Sequence, residues 1–267
     1  MMIYQKPNAF CHSRESGNPV NNIFPTWIPA FAGMTQRPNA EHQICSSYYM
    51  IQIIPSILVS SEEQFLEQIQ AIKPVCSFVQ IDIADGIFCS GKTWIDPDAV
   101  KEKMDIDFEL HMMVANPLEE IERWNNIGRM KRIIFHYESV ADIASAVEDM
   151  QSYGRDVCVC LNPDTPIHVL EPVIGHIESV QFMSVYPGKQ GQSFLLSTLD
   201  KIREFHAQYP HIPISDDGAV NTDTIHQLIE AGATRLGPGS AIWQHGDPAE
   251  NYKFLVALME EHEKYFK

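Results

Sequence analysis

Two apolar segments of the chain end in aspartates, and each is followed closely by a glycine. The first reads QIDIADG over residues 80–86 and the second reads SDDGAV over residues 215–220. A third apolar run stops at His111, and an earlier one contains Ser56. Short apolar runs are typical of buried parallel strands, which deliver polar residues to the loops at their carboxyl ends. The pattern therefore predicts four strand ends that converge on a site for acid/base or metal chemistry.

From residue 50 onward, apolar runs alternate with helical patterns, as in repeated βα units. Strands are predicted at 51–57, 78–84, 106–112, 131–136, 156–161, 178–184, 212–216 and 234–237, and helices at 61–72, 117–127, 139–153, 194–209, 221–231 and 248–265. Ser61 and Asn221 are suitable residues for helix N-termini. About eight such pairs predict an α/β fold, a single (β/α)8 TIM barrel.

Residues 1–49 differ from the rest of the chain, because they lack periodicity and are rich in Pro, Asn, Ser and Gly. The stretch resembles the translation of a bacterial intergenic repeat element. We expect it to be a leader outside the domain, produced by an early start assignment, with Met50 beginning a domain that runs over 50–267. The alternative is a disordered tail with a role in partner binding.

The charge balance bears on possible partners. With 19 Lys+Arg against 35 Asp+Glu the formal net charge is -16, which disfavours nucleic acid and anionic membranes. A small sugar phosphate remains possible, because backbone amides supply local attraction. The six cysteines include Cys158 and Cys160 on one predicted strand face and form no C-x-x-C pair. Buried thiols and a cytoplasmic location are expected, and no segment is predicted to target or span a membrane.

Asp82 and Asp217 suit the roles of acid and base on opposite faces of a carbon next to a carbonyl group. A divalent metal held by Asp82, His111 and Asp217 would stabilise the enediolate formed when that carbon loses its proton. Other interpretations remain open for each residue taken alone. A strand-end aspartate often caps a helix or joins a buried ion pair, and a single strand histidine is usually a hydrogen-bonded core residue.

Glycine-containing turns after the last three predicted strands indicate a phosphate site. They are residues 187–193, which include Gly188, Lys189, Gln190 and Gly191, then Gly218 and Ala219, and finally Gly239 and Ser240. Amides in such turns point at anions, and the loops after strands seven and eight are the usual phosphate site in these barrels. Met112, Met113 and Met183 are candidates for an apolar rim, although methionines at strand ends more often fill the core.

These segments together resemble the ribulose-phosphate 3-epimerase family over nearly all of residues 50–267. The matching motifs are PSIL at 55–58, D-x-x-DG-x-F at 82–88, HMM at 111–113, LNP-x-TP at 161–166, MSV-x-PG-x-x-GQSF at 183–194, DG at 217–218 and GSAI at 239–242. The resemblance implies a TIM barrel of the ribulose-phosphate-binding type. It also implies an acid/base pair of Asp82 and Asp217, substrate contacts from Ser56 and His111, and a possible homo-oligomer.

The chain departs from the family pattern at four places. Gln80 stands where the family has a metal-binding histidine, and Ala84 stands where it has a methionine. Lys189-Gln190 replaces an aromatic residue and a glycine, and Ala219 replaces a second glycine. An amide oxygen from Gln80 is a harder and weaker donor than imidazole, so the divalent ion is left open among Zn, Fe, Mn and Mg.

The sequence thus predicts epimerisation at C3 of a ketose phosphate, with D-ribulose 5-phosphate converting to D-xylulose 5-phosphate. A ketohexose-6-phosphate 3-epimerase is the alternative within enzymes. A sugar-phosphate-binding barrel weakened in catalysis by Gln80 and Ala84 is the alternative from another class, and the retained pair of Asp82 and Asp217 argues against it.

Overall fold

The computed structural model describes residues 50–188 and 191–265. The expected leader over 1–49 and the two phosphate-loop candidates Lys189 and Gln190 lie outside the described residues. Across the described part of the chain, no helix is long and apolar enough to cross a membrane.

Strands and helices alternate along most of the described chain. The strands are β1 (Gln52–Ile53), β2 (Ser56–Ile57), β3 (Phe78–Ala84), β4 (Asp107–Met113), β5 (Met130–His136), β6 (Asp156–Leu161), β7 (Ser179–Met183), β8 (Ile214–Asp217) and β9 (Arg235–Gly237). The helices are α1 (Glu62–Ile72), α2 (Pro97–Lys103), α3 (Pro117–Trp124), α4 (Ile143–Gln151), α5 (Ser197–Gln208), α6 (Ile225–Ala231), α7 (Ser240–Trp243) and α8 (Pro248–Tyr265). Each predicted strand and helix has a counterpart, and the bounds shift by a few residues.

Four features of the connections were not predicted. Helix α2 fills the gap between β3 and β4, and the four-residue α7 follows β9. The connection between β6 and β7 has only a 3-10 turn at Ile167–Leu170. The predicted helix over 139–153 is shorter than expected, because Tyr137–Ser139 forms a separate 3-10 turn before α4.

The nine strands of the described chain are parallel and form one curled sheet in the order β1-β9-β8-β7-β6-β5-β4-β3-β2. The two strands at the ends of that order, β1 and β2, are separated in sequence only by Ile54 and Pro55. The amide of Ile54 donates to Leu236, and the carbonyl of Pro55 accepts from Gln80. Residues 52–57 therefore bond to β9 through β1 and to β3 through β2.

The starts of α1, α2 and α4 follow the expected capping chemistry, whereas the predicted start at Asn221 is wrong, because α6 begins at Ile225 after Thr224 with no side-chain cap. Ser61 accepts the amide of Gln64 at α1, and Asp142 accepts two amides at α4. Asp96 accepts the amide of Ala99, and Pro97 takes the first position of α2, where no amide is needed.

The two faces of the sheet bury different residues. Along β5, Ile133 and Phe135 pack in the large core beneath the helices, whereas Ile134 packs with Cys158 and Cys160 in a small cluster on the other face. This alternation is the two-residue period of a strand. It confirms the expectation that Cys158 and Cys160 are buried on one strand face.

Candidate active site

The site is built from side chains on the inner face of the sheet. Asp82 and His111 are direct neighbours in the β3–β4 register, and Asp217 is the last residue of β8. The Nδ1 atom of His111 lies 2.9 Å from Oδ1 of Asp82 and 3.0 Å from Oδ2 of Asp217. The imidazole therefore joins the two aspartates that the sequence predicts as the acid/base pair.

Gln80 lies in the same cluster, and its amide nitrogen faces both carboxylates. It donates to Oδ1 of Asp82 at 2.7 Å and to Oδ2 of Asp217 at 2.8 Å. The choice of nitrogen over oxygen at an amide follows from the hydrogen-bond network, and here two carboxylates favour the nitrogen. Gln80 would have to turn its amide over before its oxygen faced a metal ion at this position.

Burial and mutual charge shift the pKa values in this cluster. Burial and then the charge of Asp217 raise the pKa of Asp82 from its ordinary 3.8 to about 6. Burial alone would lower the pKa of His111, but its hydrogen bonds to Asp217 and Asp82 outweigh that effect and raise the pKa well above its usual range. The cluster thus stabilises added positive charge at its centre.

The residues present fit a divalent metal ion. One ligand atom from each of Asp82, His111 and Asp217 lies within 4.8 Å of the others, and all three residues are buried. Two carboxylates and an imidazole are a donor set that suits several divalent ions. The carboxylates would also be left with uncompensated negative charge in a buried place unless a cation or a proton joined them.

An open pocket lies directly above this cluster. Its cavity volume is about 40 Å³, below the usual range for small-molecule sites, and it opens to solvent at its mouth. Its lining contains most of the predicted site residues: Ser56, Asp82, Met113, Met183, Gly188, Gly191, Asp217, Gly218, Ala219, Gly239 and Ser240. The sequence therefore predicted residues that the fold brings together from many separate segments.

Three predicted residues of the described chain do not line the pocket: Gln80, His111 and Met112. His111 is fully buried and lies below the aspartates rather than on the pocket wall. Met112 packs in the large core on the other face of the sheet, so it is not part of the apolar rim. Its neighbour Met113 does reach the pocket, because adjacent strand residues point to opposite faces.

The turn after β8 has an unusual backbone. Gly218 has φ 121°, and Ala219 has φ 52°, the one positive value for a non-glycine residue in the described part of the chain. A side chain at Gly218 would lie 2.7 Å from Cγ2 of Val185 and 2.9 Å from its amide nitrogen. Gly218 is therefore required at its position, whereas Ala219 adopts a left-handed conformation that costs an L-residue about 1–2 kcal/mol.

The loops after β3 and β7 touch each other at the pocket rim. A Cβ atom on Gly91 would overlap the carbonyl oxygen of Gly188, so the two backbones meet with no room for a side chain. Asp85 holds the first loop in place by accepting the amides of Ile87, Phe88 and Ala115. Gly91 was not predicted as a site residue, because its role depends on a contact between distant loops.

Two further residues were missed by sequence analysis. The indole nitrogen of Trp243 donates to the carbonyl oxygen of Ser56 at 2.6 Å, which fixes the strand that carries the pocket serine. His136 lies at the end of β5 and contacts His111, with 3.0 Å between their Nε2 atoms. The signal for His136 was available, since it ends an apolar strand as Asp217 does.

The fold and this site define a class of protein. It is an α/β enzyme with a parallel sheet, two buried aspartates that line one pocket near the carboxyl ends of the strands, and glycine turns around that pocket. The profile of the Ribulose-phosphate 3 epimerase family matches residues 52–243. The chain belongs to the ribulose-phosphate 3-epimerase family, which is a family of isomerases.

Curated relatives agree with this assignment. The chain is 32% identical to the chloroplastic ribulose-5-phosphate-3-epimerase of Arabidopsis thaliana over 214 residues, which is 77% of this chain and 76% of the relative. It is 31% identical to the ribulose-phosphate 3-epimerase of Bacillus subtilis over 207 residues, which is 74% of this chain and 94% of the relative. These matches cover most of both chains in each pair.

Solved structures support the fold at lower sequence identity. The KGPDC of Streptococcus mutans matches with a TM-score of 0.62 and 10% identity over 78% of this chain and 97% of its own. A 3-hexulose-6-phosphate synthase matches with a TM-score of 0.57 and 21% identity over 78% of this chain and 99% of its own. At these identities the likeness concerns the fold alone.

Proposed function

We propose that this protein interconverts D-ribulose 5-phosphate and D-xylulose 5-phosphate by moving a proton at C3. The observation that carries the proposal is the convergence of Asp82 and Asp217 on one pocket from strands β3 and β8. Inversion of a carbon next to a carbonyl requires one group that removes a proton and another that delivers one to the opposite face. The two aspartates are the acid/base candidates that line this pocket together.

The raised pKa of Asp82 suits this chemistry. A carboxyl group with a pKa of about 6 both accepts and releases a proton near neutral pH more readily than one at 3.8. Asp82 and Asp217 exchange the roles of acid and base between the two directions of the reaction. Gln80 and His111 hold the two carboxylates in place through the contacts described above.

Asp82, His111 and Asp217 would hold a divalent metal ion, which when bound supplies electrostatic stabilisation for the substrate oxygen that gains negative charge. Gln80 adds a fourth ligand only if its amide oxygen turns toward the ion. The identity of the ion among Zn, Fe, Mn and Mg therefore depends on how Gln80 behaves, because an amide oxygen favours harder ions than imidazole does.

We assign the substrate phosphate to the glycine side of the pocket. Gly188, Gly218 and Gly239 line that side and belong to the loops after β7, β8 and β9. Backbone amides in such turns bind anions without a charged side chain, which is consistent with a net charge of -16. Ser56, Met113 and Met183 line the part of the pocket that the sugar would occupy.

We further infer that the nine strand segments form a closed eight-stranded barrel. Strands β1 and β2 act as one barrel strand interrupted at Ile54 and Pro55, since β1 pairs with β9 and β2 pairs with β3. Pro55 lacks an amide hydrogen, which explains a local break in the ladder. Closure of this kind places every strand end at one rim around the pocket.

Proton exchange at C3 tests the function directly. The protein is incubated with ribulose 5-phosphate in D₂O, and NMR follows both deuterium at C3 and formation of xylulose 5-phosphate. We expect both signals, and a matched reaction with a ketohexose 6-phosphate should be slower by at least tenfold. Absence of exchange with both sugars would refute the proposal, and faster turnover of the hexulose would change the substrate.

A further inference from the structure

His136 has no part in the function proposed above, yet it lies end to end with His111 beneath the pocket. Their Nε2 atoms are 3.0 Å apart, their ring centroids are 5.1 Å apart and the ring planes differ by 23°. The two nitrogens therefore lie close to the line that joins the ring centres. Both residues are fully buried. This arrangement is that of an N–H···N hydrogen bond, in which one ring donates and the other accepts.

The same geometry argues against a metal ion between the rings. The thiol of Cys160 completes a His111, His136 and Cys160 group whose ligand atoms lie within 4.8 Å of one another. A zinc ion, however, requires about 2.0–2.1 Å to each imidazole nitrogen along its lone pair. Two nitrogens that face each other across 3.0 Å leave too little room for it. Cys160 is thus a neighbour of the hydrogen bond rather than a ligand.

The far side of His136 faces a fixed carboxylate. Its Nδ1 atom lies 3.5 Å from Oε2 of Glu138. The other oxygen of Glu138 accepts the amide of Asn162 at 2.9 Å and the hydroxyl of Thr165. Asn162 and Thr165 belong to the LNP-x-TP motif at 161–166, which has no other role in the site. The motif therefore holds Glu138 with one oxygen directed at His136.

The number of ring protons determines which nitrogens donate. Two short contacts each need a ring proton or a cation, namely Nδ1 of His111 with the aspartates and the contact between the two Nε2 atoms. Nδ1 of His136 makes a third, longer contact of 3.5 Å with Glu138, where a ring proton would face the carboxylate. A metal-ligating histidine must be neutral, so in the metal-bound protein the two imidazoles carry only two N–H groups. If His136 donates to Glu138 and His111 donates to His136, Nδ1 of His111 is left with a lone pair. That lone pair faces Asp82 and Asp217, where a cation would complete the arrangement.

We propose that His136 and Glu138 are positioning residues that set the tautomer of His111, so that Nδ1 of His111 is the metal-binding atom. The inference rests on the proposed function, because it concerns the ion expected between Asp82 and Asp217. Carboxylate–histidine pairs behind a ligating imidazole fix its ring orientation and raise its basicity. Glu138 and His136 lie behind His111 in a similar order, with the His136 ring placed between the carboxylate and the ligating imidazole.

Zinc affinity tests this role without relying on turnover. Zn²⁺ binding to the full-length protein is measured by competition with a chelator for wild type, His136→Leu and His136→Gln. Leucine removes the acceptor for His111, and we expect affinity to fall by about 10–100-fold, the usual effect of losing an outer partner. Glutamine offers an amide oxygen near the Nε2 position, so we expect it to recover most of the wild-type affinity. Equal losses in both variants would mean that His136 only packs, and would overturn the proposal.

Cys160→Ala is the matched control, since the thiol of Cys160 contacts the same two rings but does not lie between His111 and Glu138. We expect zinc affinity within about threefold of wild type, and a loss as large as that of His136→Leu would move the ion to the thiol and overturn the proposal. Glu138→Gln changes a partly exposed side chain, so it serves if His136→Leu does not fold. We expect a loss of about tenfold, and an unchanged affinity would refute the role of Glu138.

These measurements distinguish failure of the positioning role from failure of the proposed function. A wild-type protein that binds Zn²⁺ with an affinity unaffected by His136→Leu refutes the positioning role and leaves the epimerase function intact. A wild-type protein that exchanges the C3 proton but binds none of Zn²⁺, Mn²⁺, Fe²⁺ and Mg²⁺ refutes both the positioning role and the metal site. Absence of C3 exchange together with tight zinc binding that depends on His136 refutes the proposed function alone.

Discussion

The Nδ1 atom of His111 lies 3.0 Å from Oδ2 of Asp217, although their strands, β4 and β8, are four places apart in the sheet order. Only strong curvature of the sheet brings two such strands into contact across its inner face. Asp82 shares the same nitrogen from the neighbouring strand β3. A change of charge on any of these three side chains therefore changes the electrostatic environment of the other two. The predictions for Asp82, Asp217 and Gln80 depend on this coupling.

Asp82→Asn and Asp217→Asn should each abolish epimerisation while the protein remains folded. Each change removes a proton-transfer group, which is commonly worth about 10²–10⁴-fold, and also a candidate metal ligand. Deuterium incorporation at C3 in D₂O measures the effect, and circular dichroism checks the fold. Near-native exchange in either variant would contradict the two-aspartate mechanism.

Asp216→Asn is a close control for that pair. Asp216 is also buried at the end of β8, but it accepts a hydrogen bond from Ser184 instead of lining the pocket. Burial raises the pKa of Asp216 well above its usual range, so a neutral amide resembles the protonated form of this side chain. We expect turnover within about threefold of wild type.

Gln80→His should tighten Zn²⁺ binding, because imidazole is a better zinc donor than an amide. Asp82, His111 and Asp217 already lie within reach of one ion, so no second change is needed. Chelator competition measures the affinity, and we expect a gain of at least tenfold with turnover raised if the metal limits it. Gln80→Leu, which removes the amide without adding a ligand, should show no gain. Equal affinities for wild type and Gln80→His would mean that position 80 takes no part in the metal site.

Asp82 should make the stability of the metal-free protein depend on pH. Its pKa rises from an ordinary 3.8 to about 6 on folding, chiefly through burial and then through the charge of Asp217. The folded state thus holds this proton more tightly than the unfolded chain. The resulting stabilisation is complete below pH 3.8 and is lost as the pH rises through about 6, by at most about 3 kcal/mol.

Urea unfolding of EDTA-treated protein between pH 4 and pH 7 measures this effect against Asp82→Asn. The free energy of unfolding of wild type should fall relative to the variant across this window, because asparagine carries no charge to bury. Saturating Zn²⁺ should make the free energy of unfolding of wild type larger than that of Asp82→Asn at pH 7, since binding to the folded state stabilises wild type. A constant difference between the two proteins over the whole window would contradict the raised pKa.

Ala219→Gly and Gly218→Ala should differ strongly in their effect on stability. Glycine at 219 relieves a φ of 52° but gains freedom in the unfolded chain, so the free energy of unfolding should change by less than about 1 kcal/mol. Alanine at 218 would bring Cβ against Val185 and should cost several times more. Thermal midpoints and the KM for the sugar phosphate measure both. Tolerance of alanine at 218 would show that the turn rearranges easily.

The sequence predicted most elements of the fold and the placement of the two aspartates at one pocket, because short apolar strands with polar ends are a local signal. The catalytic role of the aspartates stays a prediction. It did not predict that His111 would lie beneath the pocket rather than on its wall, since depth within a sheet depends on curvature. Nor did it reveal that the nitrogen of Gln80 faces both carboxylates. Side-chain orientation is decided by partners from other strands.

Contacts between distant segments were the main omission. The approach of Gly91 to Gly188 joins loops that follow β3 and β7, and no spacing in the sequence reports it. His136 was passed over although its position at a strand end resembles that of Asp217. Glycine and histidine have many ordinary structural uses, so a single residue of either type carries little information until its neighbours are known.

The hydrogen bond from Trp243 to the carbonyl oxygen of Ser56 joins residues 187 positions apart in the chain. During synthesis from the N-terminus, Ser56 emerges long before its partner, so the serine side of the pocket is completed only after nearly all strands have been made. Long-range closures of this kind are slow steps in folding. In a chain whose other three tryptophans are replaced, the indole of Trp243 would consequently report by fluorescence the moment when a nascent chain becomes a competent enzyme.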